Sequence, residues 1–307
     1  MDHLLIPLLN GTLVAATPLI FAAIGELITE RSGVMNLGIE GMMLIGAATA
    51  FGVALHGQPA LIAVLVAMLA AGLMASLFAI LALGLAVNQY AAGLALTILG
   101  SGLSAVIGRH FQASSVTSIA KLDIPALSEL PLIGKVLFSQ DPMVYMALGL
   151  ALLAWWFLNR TRAGLVLRAV GEAPHSARAI GYPVIRIRYA ATAFGGAMAG
   201  LAGAYLSLAY TPLWVDDMTA GRGWIAQALV VFATWKPGRV VLGAWLFGGV
   251  TVAQLFAQTL GLHVPTQFMS ALPYVATIVV LVVISRNPQT LRLNTPLSLA
   301  QPFRPDH

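Results

Sequence analysis

The sequence predicts a polytopic helical membrane protein, and three observations carry that prediction. Of the 307 residues, 59% are hydrophobic and only 9% are charged. The mean hydropathy is +0.88. The apolar residues fall into repeated runs close to the roughly 20 residues that cross a bilayer core about 30 Å thick. A soluble domain carries about 25% charged residues. No water-soluble fold of this length could hide so much apolar surface, so the solvent is lipid.

Taken in order, the apolar runs place spans at about 4–28, 34–55, 60–87, 90–109, 142–158, 189–209, 223–235, 240–261 and 266–285. They end at recognisable punctuation: "HGQP" at 56–59, "VNQY" at 87–90, "WKPGR" at 235–239 and "GLHVP" at 261–265. Nine spans is the best count, within a range of eight to ten; the seventh is short and reads as re-entrant or broken. Residues 1–307 form one transmembrane domain. Its longer connections are an external loop at about 110–141 and a cytoplasmic loop at about 159–188, with a short irregular cytoplasmic tail at 286–307. The start, "MDHLLIPLLN", lacks the basic stretch of a cleavable signal peptide.

Orientation follows from charge. With 159–188 inside, alternating spans leave only Arg109, Lys121, Lys135 and Arg222 outside, so twelve of the sixteen Lys and Arg residues are cytoplasmic. Cytoplasmic loops collect Lys and Arg, which puts the N-terminus out and the C-terminus in. The same bias accounts for the net charge of +5 without nucleic acid as a partner.

Enzyme signatures are missing. There is no phosphate-binding GxxxxGK[ST] loop, no HExxH helix and no GxSxG elbow. With no cysteine, disulfides and thiolate metal sites are excluded, and the six histidines are scattered without metal-ligand spacing. The acidic pair Asp216–Asp217 lies in the external loop "TPLWVDDMTAGRGW" and reads as a solvated turn or as the outer mouth of a pathway.

Two stretches invite a functional reading. The first is "SGVMNLGIEGMMLIGA" at 32–47, where Asn36 and Glu40 sit in an apolar run. If the run is helical from Arg31, nine residues place Glu40 roughly 13 Å deep, with Asn36 one turn away on the same face. A charge at that depth costs on the order of 3 kcal/mol and faces protein or a wet cavity, not lipid. Asn36 and Glu40, with Asn88 and Gln89 of "VNQY", are candidates to line a polar passage; glycines 33, 38 and 41 could break the helix and free backbone groups there. Three readings are open: that lining, a structural lock between helices, or a shallower interfacial Glu40. The second stretch is "GEAPHSARAIGY" within 159–188, which reads as one short helix. Pro174 suits its first turn, Glu172 complements the positive end, and Gly181 suits the position past the C-terminus. About two turns cannot hold together alone in water, so the helix docks on its own spans or on a cytoplasmic partner. In 189–208, Gly196, Gly200 and Ala204 form a stripe of small residues that lets helices approach closely, within the subunit or toward a sister subunit.

Four blocks carry a family resemblance: "ERSGVMNLGIEGMMLIGA", "NQYAAGLALTILGSGL", "TRAGLVLRAVGEAPHSARAIGY" and "WVDDMTAGRGWIAQALVVFATWKPGRVVLGAWLFG". In that order, over nearly the whole chain, they resemble permease subunits of bacterial ABC importers of the ribose and branched-chain amino acid type, most of all the nucleoside branch associated with basic-membrane-protein-type binding lipoproteins. The resemblance implies an all-α polytopic fold in the bacterial cytoplasmic (inner) membrane and a path for a nucleoside or related purine-like or sugar-like solute. It also implies a homologous second permease subunit, a cytoplasmic ABC ATPase with paired cassettes that holds ATP and Mg, an extracytoplasmic solute-binding lipoprotein, and no cofactor in this chain. The helix at 172–181 would be the coupling helix seated in the ATPase, with Arg168, Glu172, Pro174, Ala177 and Gly181 as the coupling residues. A transporter driven by an ion gradient, with Glu26 and Glu40 as intramembrane carboxylates, is the competing reading.

Overall fold

A computed structural model describes residues 2–111, 114–123, 133–259 and 294–304, and eight positions between 268 and 282. The described chain is mostly helical. Helices α1 (Asp2–Arg31), α2 (Ile39–Leu55), α3 (Ala60–Ala79) and α4 (Gln89–Gly108) come first. A short section follows, in which β1 (Leu122–Asp123) pairs antiparallel with β2 (Ser139–Gln140) and α5 (Ile133–Leu137) lies between them in sequence. Then come α6 (Pro142–Arg160), α7 (Arg162–Glu172), α8 (Pro174–Ala179), α9 (Val184–Tyr205), α10 (Arg222–Phe232) and α11 (Pro237–Thr259). Both α3 and α9 run on into a wider π turn, Ile80–Gly84 and Leu206–Tyr210.

Among the described residues six helices are long and apolar enough to cross a membrane, and α2 and α10 are shorter apolar helices. Most of the expected ninth span at 266–285 and part of the expected external loop lie outside the described residues.

Helix α3 shows which solvent the surface meets. Ala63, Ala67, Ala71 and Ala75 are fully buried along one face, whereas Leu61, Leu65, Leu69 and Leu73 are exposed along another. Small residues inside and large apolar ones outside is the arrangement for lipid, which gives no reason to hide leucine but rewards close backbone packing. The buried alanines receive α9, the most enclosed of the spanning helices, which also packs against α1 and α2. A Cβ on Gly200 would overlap the Ala67 carbonyl oxygen, and one on Gly203 the Met43 carbonyl oxygen. Thus Gly196 and Gly200 pack inside the subunit, against α3, and Gly203 faces α2 from another side of the same helix.

Helix ends follow ordinary capping chemistry. Asp141 starts α6 by accepting from the amides of Met143 (2.9 Å) and Val144 (3.2 Å), with Pro142 at the first helical position. Thr161 separates α6 from α7 and accepts from the Gly164 amide at 3.0 Å. An oxygen side chain at the N-cap satisfies amides that have no carbonyl one turn back.

Two expectations need correction here. The second span is not helical from 34: residues 32–38 are non-helical, because Gly33 turns the chain at φ +90° and α2 starts only at Ile39. Asn36 therefore precedes the helix, and neither the one-face pairing with Glu40 nor the 13 Å depth applies. The short helix expected within "GEAPHSARAIGY" is present as α8, but it begins after Glu172 and a separate helix, α7, precedes it. Glu172 ends α7, and the chain turns at Ala173 (φ −141°, ψ 77°) before Pro174 opens α8.

Candidate functional site

The break between α1 and α2 is a polar island inside the bundle. A chain that leaves the helix in lipid frees backbone groups, and each must find a partner within the protein. From Met35 to Gly38 side chains serve as partners. The Met35 amide donates to Gln89 Oε1 (2.9 Å), and the Asn36 amide donates to Glu26 Oε1 (3.0 Å). The Gly38 amide donates to Asn36 Oδ1 (2.9 Å), and Thr97 Oγ1 donates to the Leu37 carbonyl (2.9 Å). Glu26, Asn36 and Gln89 are all buried. The Gln89 Nε2 has no hydrogen-bond partner among the described residues.

Glu40 does a different job from its neighbour in sequence. It is buried, and both its oxygens face the start of α10. Oε1 accepts from Thr219 Oγ1 (2.5 Å) and from the Gly221 amide (2.8 Å), and Oε2 accepts from the Gly223 amide (2.5 Å). Gly221, at φ +79°, is the N-cap residue of α10 and offers no side chain for the purpose. A carboxylate from α2 supplies the cap instead, where the helix dipole and free amides favour an anion. With eleven residues, α10 rises only about 16 Å, so its start falls inside the bundle and needs this support.

Of the four sequence candidates for a passage, the structure brings Asn36 and Gln89 to the break and Glu40 to the α10 start. Asn88 is exposed and caps α4, with Oδ1 accepting from the Ala91 amide at 3.1 Å. Asp217 is exposed and accepts from Ser101 Oγ at 3.2 Å. Sequence reasoning missed Glu30 and Gln227. Glu30 Oε2 accepts from Trp235 Nε1 at 2.5 Å, whereas both polar atoms of the buried Gln227 amide lack partners among the described residues. No spacing signal marks either residue. Also among the described residues, no group of three or more His, Cys, Asp or Glu side chains could hold a metal ion.

A second polar centre lies at the end of α1 that carries Arg31. There α7 and α8 form a bracket on a small core of their own: Val170, Ala177, Val184 and Phe303. Of the coupling candidates, Pro174 and Ala177 are buried and not on the outer face, and Ala177 is part of this core. The outer face of α8 presents His175, Ser176, Arg178 and Ile180. Gly181 has φ +93°, with its amide donating to the Arg178 carbonyl (2.9 Å) and the Tyr182 amide to the Ala177 carbonyl (3.1 Å). That pair of bonds is a Schellman stop, for which glycine in the left-handed region is the usual residue. Arg168 and Glu172 are half-buried on α7.

Residues 8–283 match the family described as branched-chain amino acid transport system, permease component. The chain is 41% identical to a putative glucose ABC transporter permease protein of Haloferax volcanii, over 96% of this chain and 97% of that protein. It is 33% identical to a nucleoside ABC transporter permease protein of Lactococcus lactis and 32% identical to a guanosine ABC transporter permease protein of Bacillus subtilis, each over 88% of this chain and 89% of the relative. No solved structure is a significant match to the chain.

Proposed function

The chain belongs to the branched-chain amino acid transport system permease-component family, and on that premise we propose that it passes a nucleoside or a related purine-like or sugar-like solute. It is a multi-pass membrane protein, the permease subunit of an ABC importer and not itself an enzyme; importers of this kind work with an ATPase and a solute-binding partner. The solute class is supported by the three relatives named above, whose solutes share a polyhydroxylated ring.

Our reading of the assembly goes further. The spanning count is nine, with α2 plus the 32–38 break as one crossing, α10 as the helical part of a broken seventh crossing and 266–285 as the last. The N-terminus is outside and the C-terminus in the cytoplasm of a bacterial inner membrane. A homologous second permease subunit completes the path. A cytoplasmic ATPase with paired cassettes carries ATP and Mg, and an extracytoplasmic lipoprotein delivers the solute. The path runs along the break and the α10 start. Asn36, Gln89 and Glu40 hold its shape there, and Asn88 lies at the exposed end of α4.

The observation that carries the ATPase-coupled reading is the α7–α8 bracket. Within it α8 is a six-residue helix, too short to persist unaided, held on a small core shared with α7 and presenting His175, Ser176 and Arg178 outward. In this reading α8 seats in the ATPase, with Arg168, Glu172 and Gly181 shaping the bracket and Pro174 and Ala177 fixing α8 to it. Copurifying the chain with its partners and measuring which solutes raise ATPase activity tests the solute class; stimulation by amino acids alone refutes it. Gly181→Val tests the docking. The space around Gly181 is open, so the cost is conformational, about 1 kcal/mol. We expect normal insertion but weaker transport or ATPase association; wild-type values for both refute the docking.

A further inference from the structure

The segment 294–304 is fastened to the bracket and to the break at the same time. Ser298 is buried, and both its amide (3.0 Å) and its Oγ (2.6 Å) donate to the Gly171 carbonyl in the last turn of α7. The same Oγ accepts from Arg188 Nη2 at 2.8 Å. Arg188 is completely buried on α9, and its Nε donates to the Ser32 carbonyl (3.0 Å), the first residue of the break. One residue on, the Ala300 amide donates to the Gly33 carbonyl at 3.2 Å. A Cβ on Gly33 would stand 2.5 Å from Ser298 Oγ, so the turn and the segment meet without slack.

The segment also reaches α8. Phe303 completes the small core beneath Ala177, lies tilted against the His175 ring (centroids 5.0 Å apart) and has its ring centroid 5.6 Å from the Arg188 guanidinium carbon. Among the described residues α8 packs mainly on α7 and α9. Phe303 therefore supplies a link from α8 to Arg188, and Arg188 a link from there to Ser32. A planar guanidinium bonded in two directions transmits position because neither bond can rotate away without breaking the other.

We propose that segment 294–304 is a strap, with Ser298 and Arg188 as its positioning residues, that carries displacement of α8 to the 32–38 break. The proposal rests on the reading of α8 as the element that docks on the ATPase. Its consequence is that hydrolysis can continue when the strap is cut while the break no longer responds.

The chain has no native cysteine, so a single Met35→Cys substitution makes a reporter on the break. In the assembled complex with its ATPase, the labelling rate of that cysteine is compared without nucleotide and with ATP plus vanadate. The nucleotide-dependent change in rate should fall at least about fivefold in Ser298→Ala, the low end of ordinary coupling between sites. ATP hydrolysis should stay near wild type, and Ser298→Thr, which keeps the hydroxyl, should restore the response. Arg188→Lys should resemble Ser298→Ala. A full nucleotide response in Ser298→Ala overturns the proposal. So does a loss of assembly, hydrolysis and response in equal proportion, which is the mark of a role in folding alone. A wild-type complex whose Met35→Cys rate ignores nucleotide overturns it as well. Gly181→Val in the same assay separates the two layers: if it leaves response and transport intact, the docking of α8 fails; if it abolishes them while Ser298→Ala does not, only the strap fails.

Discussion

Replacing Glu40 by Gln removes a charge and almost no volume, and the structure says where the loss appears. Three donors converge on the carboxylate: Thr219 Oγ1 and the Gly221 amide on one oxygen, the Gly223 amide on the other. A glutamine amide can keep its oxygen toward Thr219 and Gly221, but its NH2 then confronts the Gly223 N–H, donor against donor. One bond to a charged acceptor, worth about 1.5–3 kcal/mol, is lost, and the remaining two weaken to neutral strength. The favourable term between an anion and a helix N-terminus, about 0.3–1 kcal/mol, goes too. We expect local destabilisation of the α10 start by about 2–4 kcal/mol. Every 1.4 kcal/mol is a factor of ten, so amides at 221 and 223 should exchange with deuterium at least about 30-fold faster, read by mass spectrometry of the detergent-solubilised protein on peptides covering 217–225. Exchange within about twofold of wild type there would refute the capping account. A Glu40→Gln protein that keeps this protection but changes its solute preference would return Glu40 to the lining of the path.

Two further predictions concern packing and orientation. Gly203→Val places a branched side chain against the Met43 carbonyl of α2, so the protein should lose at least about 1–3 kcal/mol of stability, read as a lower detergent melting temperature; an unchanged melting temperature contradicts the close α2–α9 approach. In cysteine labelling, Ser176→Cys, exposed on α8, should react only from the cytoplasm and Ser128→Cys only from outside; the opposite pattern reverses the proposed topology.

The spans were legible because lipid demands long apolar runs, and α1, α3, α4, α6, α9 and α11 fall close to where hydropathy and punctuation put them. The stop at Gly181 was legible too, since a left-handed residue after a short helix is a local requirement. What the sequence hid depends on partners distant in the chain. Asn36 and Glu40 read as one helical face because their spacing suits a helix; Gly33 and the buried acceptors Glu26 and Gln89 make the break cheaper than continuing it. Ala177 read as a docking residue because its burial depends on Phe303, more than a hundred residues away. The tail read as irregular because its hold on the protein is a set of backbone bonds to Gly33 and Gly171, which leave no trace in composition.

These cases share one physical rule. In a bilayer a polar side chain is costly wherever it meets lipid, and so is a backbone group left without a partner. The two costs offset one another if they are placed together. Glu26, Asn36 and Gln89 lie where α1 gives way to α2 and amides are free. Glu40 lies where α10 begins inside the bundle. Glu30 and Arg31 meet Trp235, a left-handed residue at φ +54° in the turn before α11, the first through its indole N–H and the second through its carbonyl. Arg188 takes the Ser32 carbonyl at the start of the same break that Glu26 serves. These buried polar and ionisable side chains thus lie at helix discontinuities of the permease, and discontinuities are the parts of a helical bundle that can move without breaking an intrahelical ladder. An account of how the subunit opens should therefore begin at 32–38 and at the α10 start, where the removal of one side chain frees a backbone, and only afterwards turn to the continuous helices that frame them.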